Sequence, residues 1–142
     1  MKALNLHTWE NYKMLNIQAI HHVAILTDNY EVSKQFYTEI LGFKIIEETY
    51  RAERQSYKLD LAVNGKYQIE LFSFPDYRER GSYPESKGLR HLAFAVENVE
   101  ASAQYLKSKN VDVQQVRTDE LTGKKFVFFL DPNGQPLELY EM

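Results

Sequence analysis

Four ionisable residues lie inside stretches of apolar sequence: His22, Glu70, His91 and Glu138. An ionisable side chain in an apolar strand is costly to bury unless a partner compensates its charge or its hydrogen-bonding groups. Imidazole nitrogens and carboxylate oxygens, without a sulfur ligand, suit a divalent ion such as Ni, Zn, Mn, Co or Fe. We therefore predict one divalent metal ion per site, bound by these four residues.

Strand alternation predicts that the four side chains share a face. Successive side chains of a strand point to opposite faces. Apolar residues flank both glutamates and follow His91: Ile69, Leu71, Leu92, Phe94, Leu137 and Leu139. These can pack against helices while the ionisable side chains turn the other way. His21 is predicted to lie opposite His22, and Arg90 takes its place in the second half, so His21 is excluded from the ligand set.

An internal repeat in the sequence supports a shared role for these four residues. Taken singly, a strand histidine is more often hydrogen-bonded core or surface than a ligand, and a strand glutamate usually faces solvent. The two halves match at an offset of 69 residues for His22 with His91, Asn29 with Asn98, and Asn64-Gly65 with Asn133-Gly134, and at 68 for Glu70 with Glu138. A recurrence of both residue types in order favours a shared role.

Each half predicts the element order βαβββ. The first half has strand candidates at residues 20–27, 43–50, 57–63 and 67–74, with a helix capped by Asp28-Asn29 and a hairpin turn at Asn64-Gly65. The second half has strand candidates at 89–96, 111–116, 125–130 and 136–140, with a helix at 99–109 capped by Asn98. The predicted fold class is α+β, built from two tandem modules.

The predicted organisation is a single domain over residues 17–142. Module 1 covers residues 17–74 and module 2 covers 89–142, with a linker at 75–88. Residues 1–16 have no place in the repeat and are interpreted as an N-terminal extension or a tag. The linker contains Tyr77, Arg78, Arg80 and Tyr83. Its composition is consistent with a lid over the site and equally with a simple connection between the modules.

Composition excludes several classes of function. The 142 residues include 17 basic and 20 acidic ones, and no basic run is longer than Lys124-Lys125, so no nucleic-acid partner is expected. The absence of cysteine excludes disulfides, thiolate metal sites and thiol nucleophiles. No apolar stretch approaches the roughly 18 residues of a membrane span, and the N-terminus lacks an export signal. We expect a cytoplasmic protein with no membrane partner.

Several segments together resemble the vicinal oxygen chelate superfamily: His21-His22-Val23-Ala24-Ile25, Gln68-Ile69-Glu70-Leu71-Phe72, Leu89-Arg90-His91-Leu92-Ala93-Phe94, and Asp131-Pro132-Asn133-Gly134 followed by Leu137-Glu138-Leu139. The likeness is to glyoxalase I, or lactoylglutathione lyase, and to short bacterial glyoxalase-family proteins, and it covers residues 17–142. It implies the glyoxalase/bleomycin-resistance/dihydroxybiphenyl dioxygenase fold, in which two βαβββ modules form a cup-shaped mixed sheet around the metal. It also implies a homodimer, with His22, Glu70, His91 and Glu138 in the ligand positions.

The resemblance implies a metal-dependent lyase or isomerase acting on a small molecule. Four protein ligands leave about two positions of an octahedral ion open for vicinal substrate oxygens, which the metal polarises as an enediolate develops. By resemblance, Glu138 or Glu70 moves the proton, and the substrate is a 2-oxoaldehyde thiol adduct. Glyoxalase I binds glutathione through an arginine and an asparagine where this chain has Leu26 and Phe74, so another thiol or another vicinal-oxygen substrate stays open.

Two other functions are consistent with the same fold. One is a non-catalytic protein that sequesters a drug or metabolite in the cup; such members often lack the metal ligands, so the full set favours an enzyme. The other is a thiol transferase of the fosfomycin-resistance type, which uses two histidines and one glutamate, so the additional Glu70 counts against it.

Arg51, Arg54 and Tyr57 are candidates for contacts to an anionic substrate group.

Overall fold

The computed structural model describes residues 15–142, and the extension predicted at residues 1–16 lies almost wholly outside them. The first module contains β1 (Val23–Thr27), α1 (Tyr30–Gln35) with a π-helical turn (Phe36–Ile40), β2 (Lys44–Arg51), a 3-10 turn (Ala52–Arg54), β3 (Ser56–Val63) and β4 (Lys66–Ser73). The second contains β5 (Leu92–Val96), α2 (Val99–Ser108), β6 (Arg117–Thr118), β7 (Lys125–Leu130) and β8 (Pro136–Glu141). The predicted order βαβββ, repeated twice, is confirmed.

Each module forms a four-stranded mixed sheet with the same topology. The strand orders are β1-β4-β3-β2 and β5-β8-β7-β6. The first strand of each module runs parallel to the last, and the other pairs are antiparallel. Ala24 pairs with Glu70 in one sheet, and Ala93 pairs with Glu138 in the other. The repeat found in the sequence is therefore a repeat of register, and the predicted α+β fold class is confirmed.

Both helices begin at the predicted asparagine caps. The Asn29 side chain accepts a hydrogen bond from the Val32 N–H at 3.3 Å, and the Asn98 side chain accepts one from the Ala101 N–H at 2.9 Å. Each cap satisfies a backbone donor that the first helical turn leaves without a partner. The caps fix where the chain leaves β1 and β5, and hence the entry angle of each helix.

The first helix ends in a π-helical turn, which is wider than an α-helical one. The Leu41 N–H donates to the Phe36 carbonyl at 3.0 Å, five residues back, which defines a π-helical turn. Phe36 and Tyr37 are adjacent in sequence, yet both are buried.

No helix among residues 15–142 is long and apolar enough to cross a membrane, and the cytoplasmic location stays a prediction.

One apolar core runs through both modules. Its fully buried members include Tyr37, Leu59, Leu61, Leu71, Val127, Phe129 and Leu137. Polar contacts also join the modules: the Tyr37 hydroxyl donates to Asp131 Oδ2 at 2.8 Å, and the Tyr105 hydroxyl donates to the Ile40 carbonyl at 2.9 Å. The α1 region thus packs directly against the second module, which fixes the orientation of the two sheets.

The strand predicted at residues 111–116 does not form as a continuous strand. Val113 makes an isolated bridge to Phe129, and the regular ladder begins only at Arg117. Val111, Val113 and Val116 all pack against the core, although their spacing changes from two residues to three. Because a regular strand alternates faces at every residue, it cannot present all three inward without an irregularity.

Candidate metal centre

His22 and Glu70 form the ionisable pair of the first module. The strand predicted from residue 20 begins only at Val23, so His22 lies just before β1. Its Nε2 is in direct contact with Glu70 Oε2. Glu70 is only 5% exposed, whereas the His22 side chain is 39% exposed. The pair thus joins a buried carboxylate to an imidazole at the surface of the sheet.

His91 and Glu138 form the equivalent pair of the second module. His91 precedes β5, and its Nε2 lies 3.0 Å from Glu138 Oε2. Glu138 is 8% exposed, and its strand neighbours Leu137 and Leu139 are buried on the opposite face. The alternation predicted from the sequence is therefore confirmed around both glutamates.

The structure brings the four predicted residues together as two pairs. The pairs lie on separate sheets, with no ladder between the sheets among residues 15–142. Within the same residues, no three His, Asp or Glu side chains gather in a metal-binding arrangement. The four-ligand site stays a prediction, and each pair is half of the donor set that it requires.

The donors in each pair fit a divalent ion. In each pair an imidazole Nε2 atom faces a carboxylate oxygen. A small increase in the distance between these two atoms would let a metal ion bind between them. Neutral nitrogen and anionic oxygen donors are the ligands that borderline divalent ions accept. Two such pairs would supply two neutral and two anionic ligands, which matches the charge of the ion.

Lys58 holds the Glu70 carboxylate. Its Nζ lies 2.8 Å from Glu70 Oε1 and 2.8 Å from Asp60 Oδ1. Burial alone would raise the pKa of Glu70, but hydrogen bonds from Lys58 and Tyr67 outweigh it and lower that pKa. Burial and the hydrogen bonds to Glu70 and Asp60 raise the pKa of Tyr67 to about 12. Glu70 is thus an ionised carboxylate with a fixed cation beside it.

Glu138 has a different neighbour in the same position. Asp60 pairs with Glu70 across the first sheet, whereas Phe128 pairs with Glu138 across the second. The Phe128 ring packs edge-on against His91 with centroids 4.9 Å apart. Among residues 15–142 no lysine or arginine forms an ion pair with Glu138. The two halves are alike in fold but unlike in charge.

The predicted position of His21 differs from the one in the structure. It was predicted to lie opposite His22, yet the Nδ1 atoms of the two rings are 2.8 Å apart and share a hydrogen bond. The prediction was wrong because regular alternation begins only at Val23. If His22 Nδ1 donates to His21, the Nε2 atom of His22 keeps its lone pair for a metal. This hydrogen bond couples the orientation of the His22 ring to that of His21.

Sequence reasoning missed Lys58 and Asp60, although a signal for them existed. Leu59 and Leu61 are fully buried, and the two charged residues alternate with this apolar pair along β3. Once β3 and β4 are recognised as a hairpin, alternation places both charges on the face of Glu70. Pairing the strands, rather than reading each separately, would have identified them.

An arginine lies above two phenyl rings in each module. The Arg51 guanidinium is 4.9 Å from the Phe72 centroid and 5.4 Å from that of Phe74. Arg117 is 4.9 Å from the Phe126 centroid and 5.7 Å from that of Phe128. Arg51 was among the residues predicted to contact an anion, whereas Arg117 was not.

Arg54 and Tyr57 were named with Arg51 as candidates for anion contacts. Arg54 is exposed in the 3-10 turn after β2. Tyr57 stacks on Tyr30 of α1 with centroids 4.4 Å apart, so it packs on the helix side of the first sheet. Tyr57 therefore lies on the opposite face from Lys58 and Glu70.

A cavity of about 280 Å³ opens between β1 and β5 under the linker. Its lining includes Leu26, residues 77–80 and His91. Arg80 fixes this part of the linker through Glu85, at 3.3 Å, and through the Arg90 carbonyl, at 2.8 Å. The linker segment is thus anchored beside one of the predicted ligands.

Residues 19–139 match the Glyoxalase/Bleomycin resistance protein/Dioxygenase superfamily. The chain belongs to this family. It is 57% identical over 125 residues to the uncharacterized protein YwkD of Bacillus subtilis, covering 88% of this chain and 98% of that protein. It is 54% identical to the uncharacterized protein YaeR of Escherichia coli, covering 90% and 99%. The resemblance inferred from the sequence is confirmed.

Solved structures and relatives with named activities agree with this assignment. A glyoxalase family protein from Enterococcus faecalis superposes with a TM-score of 0.80 at 43% identity, covering 92% of this chain and 99% of that one. The metallothiol transferase FosB of Staphylococcus saprophyticus is 32% identical, covering 87% and 77%. The lactoylglutathione lyase of Schizosaccharomyces pombe is 26% identical, covering 84% and 46%. Relatives within the family therefore carry out different reactions.

Proposed function

We propose that this protein is a metal-dependent lyase or isomerase acting on a 2-oxoaldehyde thiol adduct or a related vicinal-oxygen substrate. The observation that carries the proposal is the recurrence of a contacting His–Glu pair at the same register position of both sheets. A buried carboxylate beside an imidazole, present twice, is the donor set of one divalent site. Family relatives include a lactoylglutathione lyase, which supports this class of reaction.

A bound divalent ion would polarise the vicinal oxygens of the substrate and so acidify the adjacent C–H group. The chain must then accept that proton. Lys58 and Tyr67 hold Glu70 in place, whereas Glu138 has a phenyl ring beside it and can change its orientation more easily. We assign proton transfer to a carboxylate oxygen of Glu138 and the fixed ligand role to Glu70.

The two pairs become one site if a second copy of the chain contributes to it. They lie on separate sheets, and the two modules of one chain pack through the α1 region rather than by joining β1 to β5. The edges of β1 and β5 carry no ladder to another strand of residues 15–142 on their outer sides. We propose a homodimer in which each site combines module 1 of one chain with module 2 of the other.

A second candidate is thiol transfer to an electrophilic substrate. The 32% identity with a metallothiol transferase favours it, and the cup would then bind both a thiol and its acceptor. The additional carboxylate Glu70 counts against it, because the resemblance assigns that class two histidines and one glutamate. Product analysis with thiols and either 2-oxoaldehydes or epoxides separates the two reactions.

Metal content is the first experiment. The purified protein, reconstituted separately with Ni, Zn, Mn, Co and Fe, is compared with His91→Ala and Glu70→Gln by elemental mass spectrometry. We expect about one ion per chain in the wild type and loss of binding in His91→Ala. Lys66→Gln, which changes an exposed residue of β4, serves as the control. No binding with any metal would overturn the enzyme proposal and leave a metabolite-sequestering protein.

Mixing variants tests the shared site. His22→Ala and His91→Ala chains are unfolded and refolded together, and metal content is measured. A site shared between copies restores one intact site in each heterodimer, because one chain supplies His22 and the other supplies His91. A site built within one chain restores none.

Turnover tests the chemistry. Adducts of methylglyoxal with glutathione and with other thiols are assayed with wild-type and Glu138→Gln protein loaded to equal metal content. Loss of the proton acceptor is expected to lower kcat by roughly 10²-fold or more. A Glu138→Gln variant with unchanged kcat would contradict the assignment of Glu138.

A further inference from the structure

Arg117 lies on the face of the second sheet that carries Glu138. It pairs with Phe126 in β7, and Phe126 pairs with Tyr140 in β8. Phe128 and Glu138 form the next pair of this ladder on the same face, two residues further along each strand. Side chains of directly paired residues project from the same face. The guanidinium, both phenyl rings and the Glu138 carboxylate therefore share one surface.

The guanidinium lies over two phenyl rings of β7. Its central carbon is 4.9 Å from the centroid of Phe126 and 5.7 Å from that of Phe128. A guanidinium attracted to a ring face keeps the N–H groups at its own edge available for a planar, two-oxygen acceptor. The phenyl rings also exclude water on one side, which strengthens a charge-assisted hydrogen bond. Arg117 is exposed, so such an acceptor can reach it.

The same rings connect Arg117 to the metal-binding pair. Phe128 contacts Arg117 on one side and the His91 ring, at 4.9 Å between centroids, on the other. Arg117 in β6 and Glu138 in β8 are separated by one strand and by two residues along the strands, which places their backbones roughly 12 Å apart. This distance suits the two ends of one small molecule.

Two other cations beside these sheet faces, Lys58 and Arg51, already have partners. Lys58 binds Glu70 and Asp60, and Arg51 donates to Ser56 Oγ at 2.7 Å. No acidic side chain among residues 15–142 forms an ion pair with Arg117. Nearby Asp119 instead accepts a hydrogen bond from the Tyr140 hydroxyl at 2.9 Å.

We propose that Arg117 binds a carboxylate of the substrate while the apolar part of the substrate lies on Phe126 and Phe128. The vicinal oxygens at the other end then reach His91 and Glu138. The substrate class is thus a carboxylic acid whose acid group is separated from the reacting oxygens by an apolar segment. This inference rests on the proposed function only for the identity of the reacting end.

Two hydroxamates that differ in one charge test the proposal. Benzohydroxamate and 4-carboxybenzohydroxamate both carry vicinal oxygens, and only the second has a carboxylate at the far end of its ring. Their Kd values are measured by isothermal titration calorimetry on the full chain, with and without bound Ni²⁺. The variants are Arg117→Gln, Arg117→Lys and, as a charge-matched control on α2, Lys107→Gln.

In the wild type we expect the carboxylate to tighten binding roughly tenfold, with or without Ni²⁺. Arg117→Gln abolishes this advantage, Arg117→Lys retains part of it, and Lys107→Gln retains it fully. Equal affinity of the two probes for the wild type, including no detectable binding of either, overturns the anion site. An advantage that persists in Arg117→Gln also overturns it. Insensitivity of both probes to Ni²⁺ counts against the proposed function alone.

Discussion

Lys58 Nζ lies 2.8 Å from Oε1 of Glu70, on a sheet face whose counterpart in the second module carries a phenyl ring instead. Lys58 pairs with Phe72 across the first sheet, and Phe126 pairs with Tyr140 at the same place in the second. A cation therefore fixes one of two equivalent carboxylates. The sequence repeat places the two glutamates at equivalent positions. The different residues at matching positions of β3 and β7 give the two carboxylates different surroundings, as two distinct roles require.

Removing this cation is expected to destabilise the first module. In Lys58→Met, the buried Glu70 carboxylate loses its ion pair, and we expect a loss of about 2 kcal/mol in the free energy of unfolding of the metal-free protein. Urea denaturation at pH 7 measures it. Lys66→Met changes an exposed lysine of β4 and is expected to cost less than about 0.5 kcal/mol. Equal effects of the two changes would contradict an energetic role for Lys58.

The stability of the helix side of the first sheet is expected to depend on pH through Glu48. Lys34 Nζ lies 2.7 Å from Glu48 Oε2, and the Tyr30 hydroxyl donates to the same oxygen at 2.5 Å. These hydrogen bonds, Lys34 first, lower the pKa of Glu48 from its ordinary value of 4.5. Because the pKa is lower in the folded state, the stabilisation is complete above pH 4.5 and is lost as pH falls through the folded pKa.

The variant that tests this dependence is Glu48→Gln. Its unfolding free energy should lie below that of the wild type at pH 7, by at most about 1 kcal/mol because the pair is partly exposed. The gap should close as the pH is lowered below 4.5. Glu47→Gln, its neighbour in β2, is the control. A gap that stays constant from pH 7 to pH 3 would refute the ionic origin of the effect.

His21 is expected to act on metal affinity through His22. Its Nδ1 atom shares a hydrogen bond with His22 Nδ1, which constrains the orientation of that ring. In His21→Ala we expect Zn²⁺ affinity to fall roughly tenfold or more, while the unfolding free energy of the metal-free protein stays unchanged because His21 is exposed. Competition with a chromophoric chelator measures the affinity, and Gln18→Ala is the control. Unaltered affinity would remove His21 from the site.

Sequence alone predicted the fold and singled out the four candidate ligands because both depend on periodicity, whereas a single metal site built from all four stays a prediction. Alternation around Glu70 and Glu138 and the repeat of cap and turn residues are properties of neighbouring positions in the chain. The contacts of Lys58 and Arg117 are different, because they depend on which strands become neighbours. His21 was misplaced since alternation was extended beyond the start of β1 at Val23. Pairing across strands is therefore the information that periodicity lacks.

The junction between the modules is expected to depend on Tyr37 and Asp131. The buried Tyr37 hydroxyl donates to Asp131 Oδ2 at 2.8 Å, and Asp131 Oδ1 accepts from the backbone N–H groups of Asn133 at 2.8 Å and Gln135 at 2.9 Å. Tyr37→Phe removes one donor without changing the packing, and we expect a loss of about 1–2 kcal/mol in unfolding free energy. Tyr50→Phe, at an exposed tyrosine, is the control.

Asp131→Ala should cost more than Tyr37→Phe, because it leaves the Tyr37 hydroxyl and two backbone donors without their acceptor. We expect a loss of about 3 kcal/mol or more in urea denaturation. The double variant Tyr37→Phe/Asp131→Ala should cost less than the sum of the two single changes, since both remove the same hydrogen bond. Strict additivity would show that the two residues act independently and that their hydrogen bond does not help to hold the α1 region to the second module.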